Sequence, residues 1–148
     1  MTPDLLETVR RALARAKRAG AHAADAVLVE SDSVETRVRG EEIDFVKQAR
    51  ERALGIRAFV KGPEGLRSAI TSTSDLASDA VDRLADDTVA LAGATAEDPH
   101  AGLPDERFAT DLPDLALLDP ADRDISLEQR IDEARRAEQA ARELRPRI

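Results

Sequence analysis

The chain contains no cysteine, no tryptophan and no tyrosine, and three phenylalanines bring its aromatic share to only 2%. Without cysteine there can be no disulfide, no thiolate nucleophile and no cysteine-based zinc site. With so few rings the core must come from Leu, Ile, Val and Ala, much of it small, so a modest core is expected in a domain of this size. Long apolar runs are missing too. Nothing approaches the ~20 residues needed to span a bilayer. Residues 1–20 are charged and amphipathic, without the continuous apolar segment of a secretory signal. A cytoplasmic location is the default expectation.

Histidine is also scarce. His22 and His100 are the only two, and neither lies in an HExxH or HxH pattern. His22 follows a helix stop and His100 follows Asp98-Pro99, so both read as surface turn residues. A metal site needs several convergent ligands. Phosphate-cradling loops of the GxGxxG or GxxxxGK[ST] type are absent as well.

What is present suits one domain, or one domain with an appendage: 148 residues, 42% of them hydrophobic. Thirty acidic residues against 22 basic give a net charge of −8. Such a surface repels nucleic-acid phosphate and anionic membrane, so neither is an expected partner.

Thr2-Pro3-Asp4 opens a helix over 1–19. Leu5, Leu6, Val9, Leu13 and Ala16 form its apolar stripe, and Gly20 its stop. Strands follow. An apolar run covers 24–30, and Ser31-Asp32-Ser33 reads as a turn. Val34, Thr36 and Val38 alternate with charged residues, then Ile43 and Phe45, then Leu54, Ile56, Ala58 and Val60. Gly62-Pro63-Glu64-Gly65 turns the chain, and Leu66, Ser68 and Ile70 continue on one face. The linkers are too short for crossovers, so the expected fold is α+β, an antiparallel meander of four to five strands covered by helices.

The second covering helix starts at Ser78, a good cap, and ends at Gly93. Its apolar positions are Val81, Leu84, Ala85, Val89 and Ala92. From 94 to 124 the chain is rich in Pro and Asp, although Leu112, Leu115, Leu117 and Leu118 could dock. A C-terminal helix begins at Ser126 with Gln129 in a capping box. Its stripe is thin: Leu127, Ile131, Ala134, Ala137, Ala141 and Leu144. The expected division is therefore a helix–sheet–helix domain over 1–93, a connection over 94–124 and a C-terminal helical segment over 125–148.

Acid clusters stand at Glu41, Glu42 and Asp44 and at Asp82, Asp86 and Asp87. Paired carboxylates can do acid–base work or bind a cation. In so acidic a chain a solvated charged face is the better reading. Thr71-Ser72-Thr73-Ser74-Asp75 could position a peptide or phosphate. With no base nearby it reads instead as a strand end that caps a turn.

Several segments, in order, resemble one family. They are Ala16-Lys17-Arg18-Ala19-Gly20-Ala21 with Ala24-Asp25, Val38-Arg39-Gly40-Glu41, and the strand from Arg52 through Leu54-Gly55-Ile56-Arg57-Ala58-Phe59-Val60. Ser72-Thr73-Ser74-Asp75-Leu76 follows, then Glu97-Asp98-Pro99-His100-Ala101-Gly102-Leu103-Pro104-Asp105, then Pro113-Asp114-Leu115 and Asp119-Pro120. The chain thereby resembles the N-terminal domain of the TldD/PmbA family. The Ser-Thr-Ser-Asp and Glu97 segments favour its TldE/PmbA branch, known as modulator of DNA gyrase.

Family members are much longer, and their second domain carries the zinc motif in TldD. The resemblance thus implies a piece of a larger subunit with no catalytic, cofactor-binding or metal residue of its own. The zinc belongs to the catalytic partner. It implies a non-catalytic role in a cytoplasmic TldD–TldE heterodimer, a metalloprotease that cleaves unfolded peptides in leader-peptide processing and antitoxin turnover. The expected partners are a TldD-like subunit and unfolded peptide substrates. The C-terminal helix, without a neighbour, is expected to fray, fold back or form a weak homodimer. A different class of function, direct binding of DNA gyrase by an acidic surface that mimics DNA, is set against interspersed rather than segregated charges. An autonomous peptidase has neither nucleophile nor zinc motif to support it.

Overall fold

The computed structural model describes residues 5–105, 113–117, 119–120 and 124–144. In chain order the elements are α1 (Leu5–Arg18), β1 (Ala23–Arg39), β2 (Glu42–Lys61), β3 (Leu66–Thr73), α2 (Ser78–Gly93) and α3 (Leu127–Leu144). The strands form one sheet in the order β1-β2-β3. The described residues fall into two compact units, Met1–Glu30 with Glu51–Phe108 and Ser31–Arg50 with Ala109–Ile148.

In the first unit one face of the sheet is covered. Leu54, Ile56 and Ala58 alternate into a core that also takes Ala12 and Ala16 of α1 and Val81, Leu84, Ala85 and Val89 of α2. Ala24, Ala26 and Leu28 of β1 pack against the same core. β2 and β3 pair antiparallel with Ala58 opposite Ala69 and Ile56 opposite Thr71. Thr88, fully buried, donates to the Leu84 carbonyl at 2.6 Å and shares a hydrogen bond with the Thr71 hydroxyl, so its hydroxyl is satisfied.

The expected α+β class holds, but the sheet has three strands rather than four or five. Two supposed breaks are strand interior. Ser31-Asp32-Ser33 lies within β1, where the even-numbered inward positions Ala24, Ala26 and Leu28 stay in phase with Val34, Thr36 and Val38. A strand exposed at these positions tolerates short polar side chains. In β2 the less exposed positions slip from odd (Phe45, Ala49) to even (Arg52, Leu54, Ile56). In sequence that slip looks like the gap between two strands, yet the strand continues through it.

Other details also depart from the sequence reading. Residues buried in α1 are Thr8, Ala12 and Ala16, whereas Leu6 is exposed. Ala16 and Val9 of the expected stripe do face the core, and Thr8 and Ala12 join them there. Ile70 does not share a buried face with the core. The register places it opposite Arg57 on the other side of the sheet, and Ala69 turns inward instead. The N-cap of α2 is Ala77, not Ser78, and it has no side-chain cap. Asp75 accepts the Ala77 N–H at 2.9 Å just outside the helix. The Thr2-Pro3-Asp4 opening and Leu112 and Leu118 lie outside the described residues, while Leu115 and Leu117 are exposed rather than docked.

In the second unit no described residue is fully buried. The capping box at the start of α3 is formed in both directions: Ser126 N–H to Gln129 Oε1 at 2.7 Å, and Gln129 N–H to Ser126 Oγ at 3.2 Å.

Candidate interaction face of the sheet

Alternation that sends Leu54, Ile56 and Ala58 inward sends Gly55, Arg57 and Phe59 to the opposite face, beside Asp25 and Val27 of β1 and Ile70 of β3. Phe59 is buried there, at 2% exposure, whereas its neighbours on that side are open. Ile70 is 69% exposed, Val27 64% and Val29 55%. Gly55 leaves a depression between Val27 and Ile70, and the Asp25–Arg57 pair forms its rim. The pair is bidentate: Arg57 Nε and Nη2 donate to the two Asp25 oxygens at 2.8 and 2.7 Å. Its guanidinium also lies 5.2 Å from the Phe59 ring centroid. The hydrogen bond to Asp25 raises the Arg57 pKa further. Exposed apolar side chains thus stand beside a mutually satisfied ion pair, and neither member of that pair is poised to react.

The outer edge of β3 borders this face. Its first part is taken by the chain itself. Leu66 and Asp98 exchange backbone hydrogen bonds at 3.1 and 2.9 Å as an isolated antiparallel bridge, and Thr95 Oγ1 donates to the Ser68 carbonyl at 3.2 Å. Alternation turns the backbone groups of Ile70 and Ser72 to the same outer side. An open edge of this kind is a template for an added strand.

Residues singled out from the sequence take structural places. Asp82 and Asp86 are bound bidentately by Arg11 (2.9 and 2.6 Å) and Arg15 (2.7 and 2.5 Å). The ladder ascends in both helices, so α1 and α2 run in the same direction. The hydrogen bonds from Arg11 and Arg15 hold both carboxyls below the usual carboxylate range. Thr73 Oγ1 accepts the Asp75 N–H at 3.1 Å, so the Thr71–Asp75 run is the strand end and turn that its composition suggests. His22 and His100 are exposed, far apart in sequence, and engaged through their backbone N–H groups with the Phe59 carbonyl (2.7 Å) and Asp98 Oδ1 (2.8 Å). Among the described residues no three His, Asp or Glu side chains converge on a point where a metal could sit.

Glu97, unremarked as an individual residue in the sequence, organises the β2–β3 turn. It accepts the Glu64 N–H at 2.7 Å and Arg67 Nη2 at 2.9 Å. The Glu64 amide, and then Arg67, hold its carboxyl below the ordinary value. A Cβ on Gly62 would lie 2.3 Å from this carboxyl group, and one on Gly65 would lie 2.7 Å from the Asp98 carbonyl oxygen. Gly65 is therefore required by close approach to backbone, whereas at Gly62 the crowding is with a side-chain end that can move, a distinction the turn-like string Gly62-Pro63-Glu64-Gly65 conceals. Among the described residues no helix is long and apolar enough to cross a membrane.

Residues 24–92, which span the sheet and α2, match the family domain described as PmbA/TldA metallopeptidase domain 1. A protein named Metalloprotease PmbA, from Escherichia coli O157:H7, is 34% identical over 126 residues, 84% of this chain. The chain spans about a quarter of that relative's length, 27%. A sheet that buries one face under α1 and α2, and a match covering that sheet within a collinear likeness over most of the chain, place the protein in the PmbA/TldD family as a bearer of its first, N-terminal domain.

Proposed function

We propose that this chain is the N-terminal module of a subunit of the TldE/PmbA branch, and that it serves assembly with a TldD-like zinc metalloprotease subunit. On this reading it supplies no catalytic group. The partner supplies the zinc, and the assembled enzyme cleaves unfolded peptides. The observation that carries the reading is the exposed apolar side chains Val27 and Val29 of β1 and Ile70 of β3, on the face of the sheet away from α1 and α2. A monomeric domain with so few large apolar residues gains nothing by leaving three of them together in water. A partner surface laid on this face would bury these side chains, and a partner strand added beyond β3 could separately continue the ladder at Ile70 and Ser72.

The arrangement also favours docking over catalysis. Asp25 and Arg57 neutralise each other, Asp82 and Asp86 are engaged by arginines, and Thr71 and Thr88 bond each other. None of these is a base beside a nucleophile. The test is co-purification of the tagged chain with a TldD-like subunit, followed by a peptide-hydrolysis assay. The chain alone should leave an unfolded peptide intact, and it should co-elute with the TldD-like subunit. Hydrolysis by the chain alone, or failure to co-elute, would overturn the reading.

A further inference from the structure

The turn between β1 and β2 carries two successive residues with positive φ, Gly40 at 65° and Glu41 at 68°. This is the backbone of a type I′ hairpin turn, for which Gly suits either position but Glu is a costly choice. Two consecutive residues in this conformation point their N–H groups to one side, as a small anion-receiving nest. The nest is filled. Glu138 of α3 accepts the Gly40 N–H through Oε1 at 2.6 Å and the Glu41 N–H through Oε2 at 3.0 Å. One helical turn earlier, Arg135 Nε donates to the Glu41 carbonyl at 3.3 Å. One turn later, Arg142 Nη2 pairs with Glu138 Oε1 at 3.1 Å. The helix therefore engages the turn with both signs of charge: a carboxylate on its amides and a guanidinium on its carbonyl.

Apolar packing offers little alternative for holding α3. The helix has no buried residue, and Leu127 and Leu144 are exposed. We infer that the Gly40–Glu41 turn is a carboxylate-binding nest whose ligand in this chain is Glu138, and that this polar latch, rather than an apolar core, decides whether α3 is docked on its hairpin. Charge-assisted hydrogen bonds to paired amides are directional, so the latch also fixes the helix rotation that faces Ile131, Ala134 and Glu138 inward. It can open without disturbing the core of the first unit, because none of its groups belongs to that core.

Amide hydrogen exchange on the full chain tests this. In the unaltered chain the Gly40 and Glu41 amides should exchange slowly, although they sit in an exposed two-residue turn. Exchange at the rate of an open turn would overturn the proposal with no variant needed. Glu138→Ala should speed both amides by roughly ten- to a hundredfold, the loss expected when a hydrogen bond to a charged group goes. Protection along 127–144 should fall with them. Glu138→Gln, which keeps one acceptor oxygen, should fall between. Amides of 54–60 report on the first unit and should keep their protection in every variant. Unchanged exchange at 40–41 and across α3 in Glu138→Ala would sink the latch, as would loss of protection at 54–60.

Discussion

Arg57 and Ile70 stand opposite each other across β2 and β3, on the side of the sheet away from α1 and α2. Arg57 is closed off by Asp25 and by the Phe59 ring, whereas Ile70 is left in water. The two faces of one short strand pair thus answer to different demands. One face holds the domain together, and the other keeps apolar surface available.

That division gives a paired mutational prediction. Ile56→Asp places a carboxylate in a site that is 1% exposed, with no partner for it. The cost of several kcal/mol should unfold the first unit. Ile70→Asp should leave the melting temperature almost unchanged, because the new charge is solvated. Thermal melts of the two variants, followed by circular dichroism, check the assignment of faces. Equal melting of both would contradict it.

The pairing of Thr71 with Thr88 sets a second expectation. Thr88→Val keeps the shape of the side chain but removes the hydroxyl that bonds both Thr71 and the Leu84 carbonyl. The loss should be about 1–3 kcal/mol, the range for leaving a buried polar group unsatisfied. Changing Thr71 and Thr88 to Val together should cost less than the sum of the two single changes, because the two share one hydrogen bond. Urea unfolding of the four proteins measures this directly, and strict additivity would count against the shared bond.

Much of the first unit, and the start of α3 in the second, was legible in the sequence. Alternation at Leu54, Ile56 and Ala58, the helix over 78–93 and the Ser126–Gln129 capping box all follow from local chemistry, and all are found. The strand count was not legible. It depends on whether the chain turns or continues at Ser31-Asp32-Ser33, and short polar residues serve either outcome. Preserved parity from Ala24 to Val38 was the available clue. The face of Ile70 was missed for a different reason: it follows from cross-strand register, which a single strand does not carry. Glu97 and Glu138 were hidden because each acts on backbone amides more than 30 residues away, and a lone glutamate in an acidic chain has no local signature.

At the β2–β3 turn, Gly62→Ala and Gly65→Ala should separate two kinds of crowding. The first Cβ meets the movable end of Glu97, while the second meets the Asp98 backbone. Gly65→Ala should therefore be the more destabilising, by about 1–3 kcal/mol as for other overpacked sites. Gly62→Ala should mainly displace Glu97 from the Glu64 amide. Melting temperatures and the Glu64 amide shift distinguish these outcomes. A milder effect for Gly65→Ala would show that the 97–98 segment does not hold its place on the turn.

Acid should loosen the charged contacts in a defined direction. Asp82, Asp86, Glu97 and Glu138 all have folded-state pKa values lowered by their donors. Groups of this kind contribute stability that is fully present above the ordinary carboxylate values of about 4, and that is lost as pH falls through the lower folded values. Stability should thus be flat on this account from neutral pH down to that range and then decline. Arg11→Gln together with Arg15→Gln should flatten part of the decline. An unchanged acid limb in that double variant would show that the α1–α2 ladder contributes nothing. Added salt should weaken the ladder in wild type, since both pairs are partly exposed.

The most direct test of the account is the affinity of the purified full chain for a purified TldD-like metalloprotease subunit, measured by calorimetry for wild type and for Ile70→Glu at matched stability. The account predicts binding by wild type and a loss of roughly tenfold or more for Ile70→Glu, as for a central apolar contact replaced by a charge. Absence of binding by wild type, or equal affinity of the two proteins, would contradict it.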